Sequence, residues 1–133
     1  MTTPAITTLR STIATALSDP TNTKWQTFSY VPATILPYSV IVAWGEPMLE
    51  MENNQYASVS PLATLRILMT VPIMDNQGNL AQLEQIITDV FNLLAASSLN
   101  VKVERVSSPA VLQLDSGDLL TADIIISTLT SWS

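Results

Sequence analysis

The sequence of 133 residues contains no cysteine and no histidine. Without cysteine there is no disulfide and no thiolate ligand, and without histidine there is no imidazole to bind a metal or to activate a nucleophile. The three glycines, Gly45, Gly78 and Gly117, are too far apart to build a dinucleotide-binding or phosphate-binding loop. We therefore expect no catalytic residues, no metal site, no cofactor and no enzymatic activity.

Charged residues are also scarce. They make up 12% of the chain, whereas a typical soluble domain has about 25%. Eleven acidic residues outnumber five basic ones, and the formal net charge is −6. The basic residues are scattered: Arg10, Lys24, Arg66, Lys102 and Arg105. They make no basic face, so we expect no sequence-specific binding of nucleic acid and no membrane binding. A poorly charged surface is instead typical of one that is buried in an oligomer.

Long apolar runs are missing as well. No stretch approaches the ~18 consecutive apolar residues that would span a membrane. The first five residues lack the basic region and apolar run of a signal peptide. The absence of cysteine fits a cytoplasmic chain. Because there is no internal repeat and no linker-like segment, we expect a single domain over residues 1–133.

Apolar residues at helical spacing predict a first helix over residues 4–18. Thr3 is the expected N-cap, and Pro4 suits the first helical position. The helix is expected to stop at Asp19, because a residue that precedes proline avoids the helical region.

A second helix is predicted over residues 80–96, after a turn at 75–78. Asn79 is the expected N-cap, with Gln82 reaching back from the third helical position. The helix has one broad apolar face. The residues of this face that we expect to pack on a sheet are Leu83, Ile87, Val90 and Phe91.

Five segments have the alternation or the β-branched composition of strands. They cover residues 39–44, 64–71, 101–106, 111–114 and 119–129. Leu65, Ile67 and Met69 share the face that we expect to meet the second helix. Residues 115–118 predict a hairpin turn in which Gly117 takes the positive φ.

The order of helix, strands, helix and strands predicts an α+β fold. We expect a mostly antiparallel sheet with two helices packed on one face. The stretch with Trp25, Phe28 and Tyr30 is interpreted as an irregular or edge strand, broken by Pro32 and Pro37. Its aromatic residues are expected to pack in the core or at an edge.

The segment from about 45 to 63 is predicted to be a strand extension or a projecting hairpin or arm. Acidic and apolar residues alternate in it between Pro47 and Pro61. Its glutamates form either a solvated face, a channel lining or a contact between subunits. The candidates for inter-subunit contact or for a lumen are Glu46, Met48, Leu49, Glu50, Met51 and Glu52, with Arg66 and Arg105 as basic partners.

The second half of the chain presents a distinctive order of features. A strand at 64–72 is followed by the turn at 75–78, an amphipathic helix, the segment 106–109, and a hairpin at 115–118 that leads into a strand at 119–126. Together with the opening helix and the long segment between Trp44 and Thr64, this order resembles the tail terminator proteins of long-tailed bacteriophages. The resemblance covers nearly the whole chain.

The resemblance implies a structural protein of the virion, located at the head-tail interface and assembled in the host cytoplasm. Tail terminators form a ring, usually a homohexamer, that caps the tail tube and stops its polymerisation. The ring joins the tube to the head-completion or neck protein. DNA passes through its lumen, and an acidic lumen does not hold passing DNA tightly.

Two other interpretations stay open. The runner-up in the same class is another phage neck or tail protein, such as a tube subunit or a stopper. The alternative from a different class is a cytosolic α+β module that binds a small ligand or a peptide. A stable monomer with a deep pocket would favour the module, and a ring would favour the tail protein.

Overall fold

The two most regularly alternating segments of the sequence form the centre of a six-stranded sheet. β3 (Leu62–Pro72) and β6 (Leu119–Leu129) pair antiparallel along their whole lengths, from Leu62 opposite Leu129 to Pro72 opposite Leu119. In a computed structural model, the described residues are 5–18, 25–50, 61–73, 76–97, 99, 101–114 and 117–130. Thr3, Pro4, Asp19 and Pro20, which we expected to bound the first helix, lie outside these ranges.

The remaining elements flank this pair of strands. They are α1 (Ile6–Ala16), β1 (Gln26–Phe28), β2 (Ser39–Glu50), α2 (Asn76–Ala96), β4 (Lys102–Val106) and β5 (Ala110–Leu112). The strand order is β1-β2-β3-β6-β4, and β5 also pairs with β6. Among the described strands, β1 and β2 are parallel and the other pairs are antiparallel. The fold is α+β, as the order of elements predicts.

Both helices pack on one face of the sheet and bury its apolar side chains. α1 contacts β1 and β2, whereas α2 contacts β3 and β6. Leu65, Ile67 and Met69 face the helices and are fully buried, as their alternation predicts. The largest fully buried side chains of this core are Leu9, Ile13, Leu17, Val40, Val42, Leu65, Ile67, Met69, Leu83, Ile124 and Ile126.

Aromatic residues at the start of the sheet divide between core and surface. Trp25 is buried, and its indole Nε1 donates a hydrogen bond of 3.0 Å to the carbonyl oxygen of Leu17 at the end of α1. Phe28, in the edge strand β1, meets Tyr30 edge to face with ring centroids 6.1 Å apart. The expectation that these aromatic residues pack in the core or at an edge is confirmed for Trp25 in the core and Phe28 in the edge strand, whereas Tyr30 is largely exposed.

The predicted N-terminus of α1 was wrong. The helix begins at Ile6, and Ala5 occupies the cap position without a capping side chain. The hydroxyl of Thr8, at the third helical position, donates a hydrogen bond to the carbonyl oxygen of Ala5 and so helps to hold the first turn of the helix.

The predicted start of α2 was also wrong. The helix begins at Asn76, so the expected turn at 75–78 is largely replaced by its first turn, and Asn79 lies inside the helix. The side chain of Asn79 does meet Gln82, but as an amide pair in which Nδ2 donates to Oε1 over 2.9 Å. Gly78 is tolerated in the helix at a cost of about 1 kcal/mol relative to alanine.

Phe91 does not pack on the sheet, which corrects a sequence prediction. Its side chain is 48% exposed, while Leu83 and Val90 are fully buried and Ile87 is half-buried. The side chains of α2 that face the sheet are Leu83, Ile86, Val90 and Leu94. Each residue turns the helix by about 100°, so Phe91 points to the flank of the face that Val90 occupies.

β2 continues past the predicted end at Trp44 to Glu50, which confirms the strand extension for residues 45–50. The pairing with β3 is interrupted by a bulge: Trp44 lies opposite Leu65, and the next paired residue, Leu49, lies opposite Ala63. Gly45 sits in this bulge, close to Thr64. The absent side chain permits the two backbones to approach, which is a common role of glycine in a strand.

The last hairpin is present, with a longer loop than its turn residues suggest. β5 ends at Leu112 opposite Leu119, so six residues connect the strands. Gly117 has φ 131°, as predicted, and its N–H donates to the carbonyl oxygen of Leu114 over 3.1 Å. Asp115 and Ser116 lie outside the described residues.

Candidate interaction surface

The face of the sheet opposite the helices carries charged side chains. Alternation along β3 and β6 places Arg66 and Asp123 on this face, because Leu65, Ile67, Ile124 and Ile126 face the core. We call it the helix-free face. Arg66 Nε lies 3.8 Å from Asp123 Oδ2, and both side chains are partly exposed. A pair at this distance and exposure contributes little to stability.

Arg66 was predicted to contact glutamates of another subunit. Its guanidinium group lies beside Asp123 of its own chain. The other oxygen of the same carboxylate, Asp123 Oδ1, is buried and accepts no hydrogen bond from the described residues. The pairing of Arg66 with Asp123 is therefore incomplete. It leaves Arg66 a weak candidate for a contact between subunits.

Glu104, on the helix-free face, has both a hydrogen-bond partner and an ion-pair partner. The hydroxyl of Ser127 donates a hydrogen bond of 2.7 Å to Glu104 Oε1, and Lys102 Nζ lies 3.6 Å from the same oxygen. The hydrogen bond from Ser127, aided by the charge of Lys102, lowers the pKa of Glu104 below its ordinary value of 4.5. A shift in the register between Val103 and Arg105 accompanies this arrangement.

Arg105 lies on the same strand without such a partner. In the register it stands opposite Ile125, which places it on the helix-free face, and it is exposed. No carboxylate of the described residues lies within ion-pair distance of it. Of the two arginines that the sequence singled out, Arg105 is thus the one available to a partner.

The end of β2 carries the acidic candidates. Glu46, Met48 and Glu50 are exposed. Leu49 is half-buried and packs against the core of its own chain, because pairing with Ala63 turns it toward the helices. Its predicted role in an inter-subunit contact stays a prediction. The remaining candidates, Met51 and Glu52, lie outside the described residues.

Both margins of the sheet have backbone edges that pair with no described strand. β1 covers β2 only at Ser39, Val40 and Ile41, so the outer edge of residues 42–50 pairs with no described strand, although Pro47 offers no N–H there. On the opposite margin, β4 pairs with β6 on one side and with no described strand on the other. Open strand edges present unpaired N–H and C=O groups, which can pair with another chain. We call these the β2 edge and the β4 edge.

A cleft of about 500 Å³ lies between α2 and the β5–β6 hairpin. Its apolar walls are Ile73, Leu80, Pro109, Val111 and Leu120, and its polar groups are Asn79 and Glu84. Leu80 and Val111 are exposed at its rim. The size suits a small ligand, whereas the two polar groups give little chemical specificity.

Sequence reasoning missed both the cleft and the β4 edge. The cleft joins residues from five different parts of the chain, and no motif connects them. The β4 edge had a signal in the alternation of residues 101–106, but its status as a margin depends on strand order. In the described part of the chain, no three carboxylates gather into a group that could hold a metal ion.

The described helices include none that has both the length and the apolar composition needed to cross a membrane. No protein-family model matches the chain, and no curated protein matches it.

Proposed function

We propose that the protein is a structural subunit of a bacteriophage tail, a tail terminator that forms a ring on the end of the tail tube. The ring stops tube polymerisation and joins the tube to the head-completion or neck protein, at the head-tail interface of the virion. DNA passes through its lumen. The proposal starts from the resemblance in element order, to which the surface of the sheet adds physical support.

The observation that carries the proposal is the pair of open strand edges on opposite margins of one sheet. A β-sheet edge with unpaired backbone groups is a liability for a free monomer, and proteins usually blunt or cover it. Two different edges on opposite margins allow head-to-tail association, which closes into a ring when the rotation between subunits permits. A chain with this arrangement is suited to self-assembly.

The low content of charged residues agrees with this proposal. Surfaces that become buried between subunits are depleted in charge, and 12% is about half the usual content. The excess of acidic residues suits a ring through which DNA moves, since a net negative subunit repels the phosphate backbone rather than retaining it.

The test is a tube-capping assay. Tail tube protein is polymerised alone and with the purified chain, and electron microscopy measures tube lengths and end structures. We expect rings of the chain by itself, shorter tubes in its presence, and added density at one tube end. Tubes of unchanged length with bare ends would overturn the terminator function. Long tubes formed by the chain alone would identify a tube subunit instead.

The cleft supports a second candidate, an α+β module that binds a small apolar ligand or a peptide. Its volume of about 500 Å³ and its apolar walls are within the range of ligand sites. This candidate predicts a monomer in light scattering at all concentrations. Leu80→Asp, at the rim of the cleft, would then abolish ligand binding, whereas ring assembly in the first candidate does not require the cleft to be filled.

A further inference from the structure

We infer that the chain self-associates head to tail through its two sheet margins, with the β2 edge of one copy pairing antiparallel with the β4 edge of the next. The partner is therefore a second copy of this chain. The inference rests on the proposed ring, and it assigns the surface that closes it. Three properties of β2 and β4 support it: the directions in which they run, the rows of the sheet that they occupy, and the charges that they carry.

Strand direction permits the pairing. β2 is antiparallel to β3, β3 to β6, and β6 to β4, so β2 and β4 run in opposite directions within one subunit. Rotation about an axis along the strands leaves these directions unchanged in every copy. β4 of one copy therefore meets β2 of the next in the antiparallel sense, and the sheet continues from subunit to subunit.

The two edges also lie at the same height. Arg105 is in register with Ile125, which pairs with Arg66, which pairs with Ala43. At the lower end of β4, Val106 shares a row with Val42 through Ile124 and Ile67. β4 thus faces the part of β2 that begins where the cover of β1 ends at Ile41.

The charges on the two edges are of opposite sign. The β2 edge carries Glu46 and Glu50, and the β4 edge carries Lys102 and Arg105. Glu104 on β4 is engaged by Ser127 and by Lys102, so Arg105 is the cation of this edge that has no carboxylate partner among the described residues.

Glu46 lies between Trp44, in the row of Val103, and Leu49, one row beyond Lys102, so it is at the height of this end of β4. Glu50 lies on the helix-free face two rows beyond Lys102, just past the end of β4. Opposite charges on neighbouring strands of one face stabilise the pairing, and like charges destabilise it.

The same charges disfavour a symmetric dimer through the β2 edge. Pairing of two β2 edges brings Glu46 and Glu50 of one copy beside those of the other, without a cation between them. Repulsion of this kind selects against the wrong partner. The β2 edge is therefore specific for the β4 edge, and the association is heterologous, which generates a ring rather than a pair when the rotation between subunits closes.

Two charge-reversed variants test the inference. Variant A carries Glu46→Lys and Glu50→Lys, and variant B carries Lys102→Glu and Arg105→Glu. Variant A has two basic edges and variant B two acidic edges, so each should associate at least about tenfold more weakly than the natural chain. Mixed in equal amounts, A and B should form alternating rings, because every junction then joins opposite charges. The control is Glu84→Lys with Asp89→Lys on α2, which matches the charge change of variant A away from both edges and should assemble normally.

Sedimentation velocity and electron microscopy measure assembly, and circular dichroism checks the fold of each variant. If a charge reversal prevents folding, the neutral changes Glu46→Gln with Glu50→Gln and Lys102→Gln with Arg105→Gln replace it, with weaker assembly expected. If the natural chain assembles and A and B each assemble alone, or if their mixture does not assemble, the edge pairing is overturned while the ring proposal stands. If the natural chain itself never assembles, both proposals fail.

Discussion

Gly45 in β2 lies so close to Thr64 in β3 that a methyl group on its Cα would sit 2.7 Å from Thr64 Cγ2 and 3.2 Å from the backbone carbonyl of that residue. Real side chains essentially never show the first distance, so the side chain of Thr64 or one of the two strands would have to shift. The bulge at the base of the β2–β3 hairpin therefore depends on the absence of a side chain at position 45.

Gly45→Ala is expected to destabilise the protein by about 1–3 kcal/mol, the usual cost of forcing extra atoms into a packed site. Thr64→Ser removes the Cγ2 methyl group, so the double variant should recover part of the loss. Urea unfolding of the two single variants and the double variant gives the coupling energy between the positions. Additive losses would show that the Cγ2 contact is not the cause.

Truncation to alanine should destabilise the protein much more at Leu83 than at Phe91, although both residues are on α2. Leu83→Ala is expected to cost about 2–5 kcal/mol, because the side chain is fully buried against the sheet. Phe91→Ala should change stability by about 0.5 kcal/mol or less, since the ring lies at the exposed flank. Thermal or chemical unfolding compares the two. A larger loss for Phe91→Ala than for Leu83→Ala would reverse our orientation of the helix.

Thr70 holds the segment before β2 to the sheet through one buried hydroxyl. Its Oγ1 accepts a hydrogen bond of 3.0 Å from the N–H of Ser39 and donates one of 2.8 Å to the carbonyl oxygen of Leu36. Thr70→Val keeps the shape and removes both bonds, so we expect a loss of about 1–3 kcal/mol. Thr70→Ser keeps the hydroxyl and is the control. Equal stability of the valine variant and the natural chain would contradict this role.

Glu104 should titrate at a lower pH than an ordinary glutamate because the Ser127 hydroxyl stabilises its charged form. A folded-state pKa below the ordinary value of 4.5 means that this stabilisation is fully present above that value and is lost as pH falls through the folded-state pKa. Ser127→Ala should raise the pKa toward 4.5. Carbon-detected NMR titration of the Glu104 carboxyl measures the change. Identical titrations in both proteins would exclude Ser127 as the main cause.

Local patterns in the sequence predicted much of the sheet. Alternation in β3 identified Leu65, Ile67 and Met69 as core residues, since every second side chain of a strand shares a face. The need for positive φ identified Gly117. These features depend on near neighbours, which a sequence displays directly.

Other features depend on contacts that only the folded chain creates. Asn79 has the chemistry of an N-cap, yet the helix extends one turn before it, because packing overrides a local capping preference. Phe91 is apolar and at helical spacing, but the side chains of α2 that face the sheet are Leu83, Ile86, Val90 and Leu94.

The candidate surface was only partly predictable for the same reason. The sequence identified the glutamates of β2 and Arg105 as charged candidates for a contact between subunits. Their location on opposite margins depends on the order β1-β2-β3-β6-β4, in which strands distant in the sequence become neighbours. No pattern within one strand encodes that order.

The most direct test of the account is the mass of the purified chain in solution, measured by native mass spectrometry and confirmed by electron microscopy. The account predicts a closed ring with one dominant mass, six times the 14.4 kDa of the chain if the ring is the hexamer of the proposal. A monomer of 14.4 kDa at every concentration, with no rings on the grid, would contradict it.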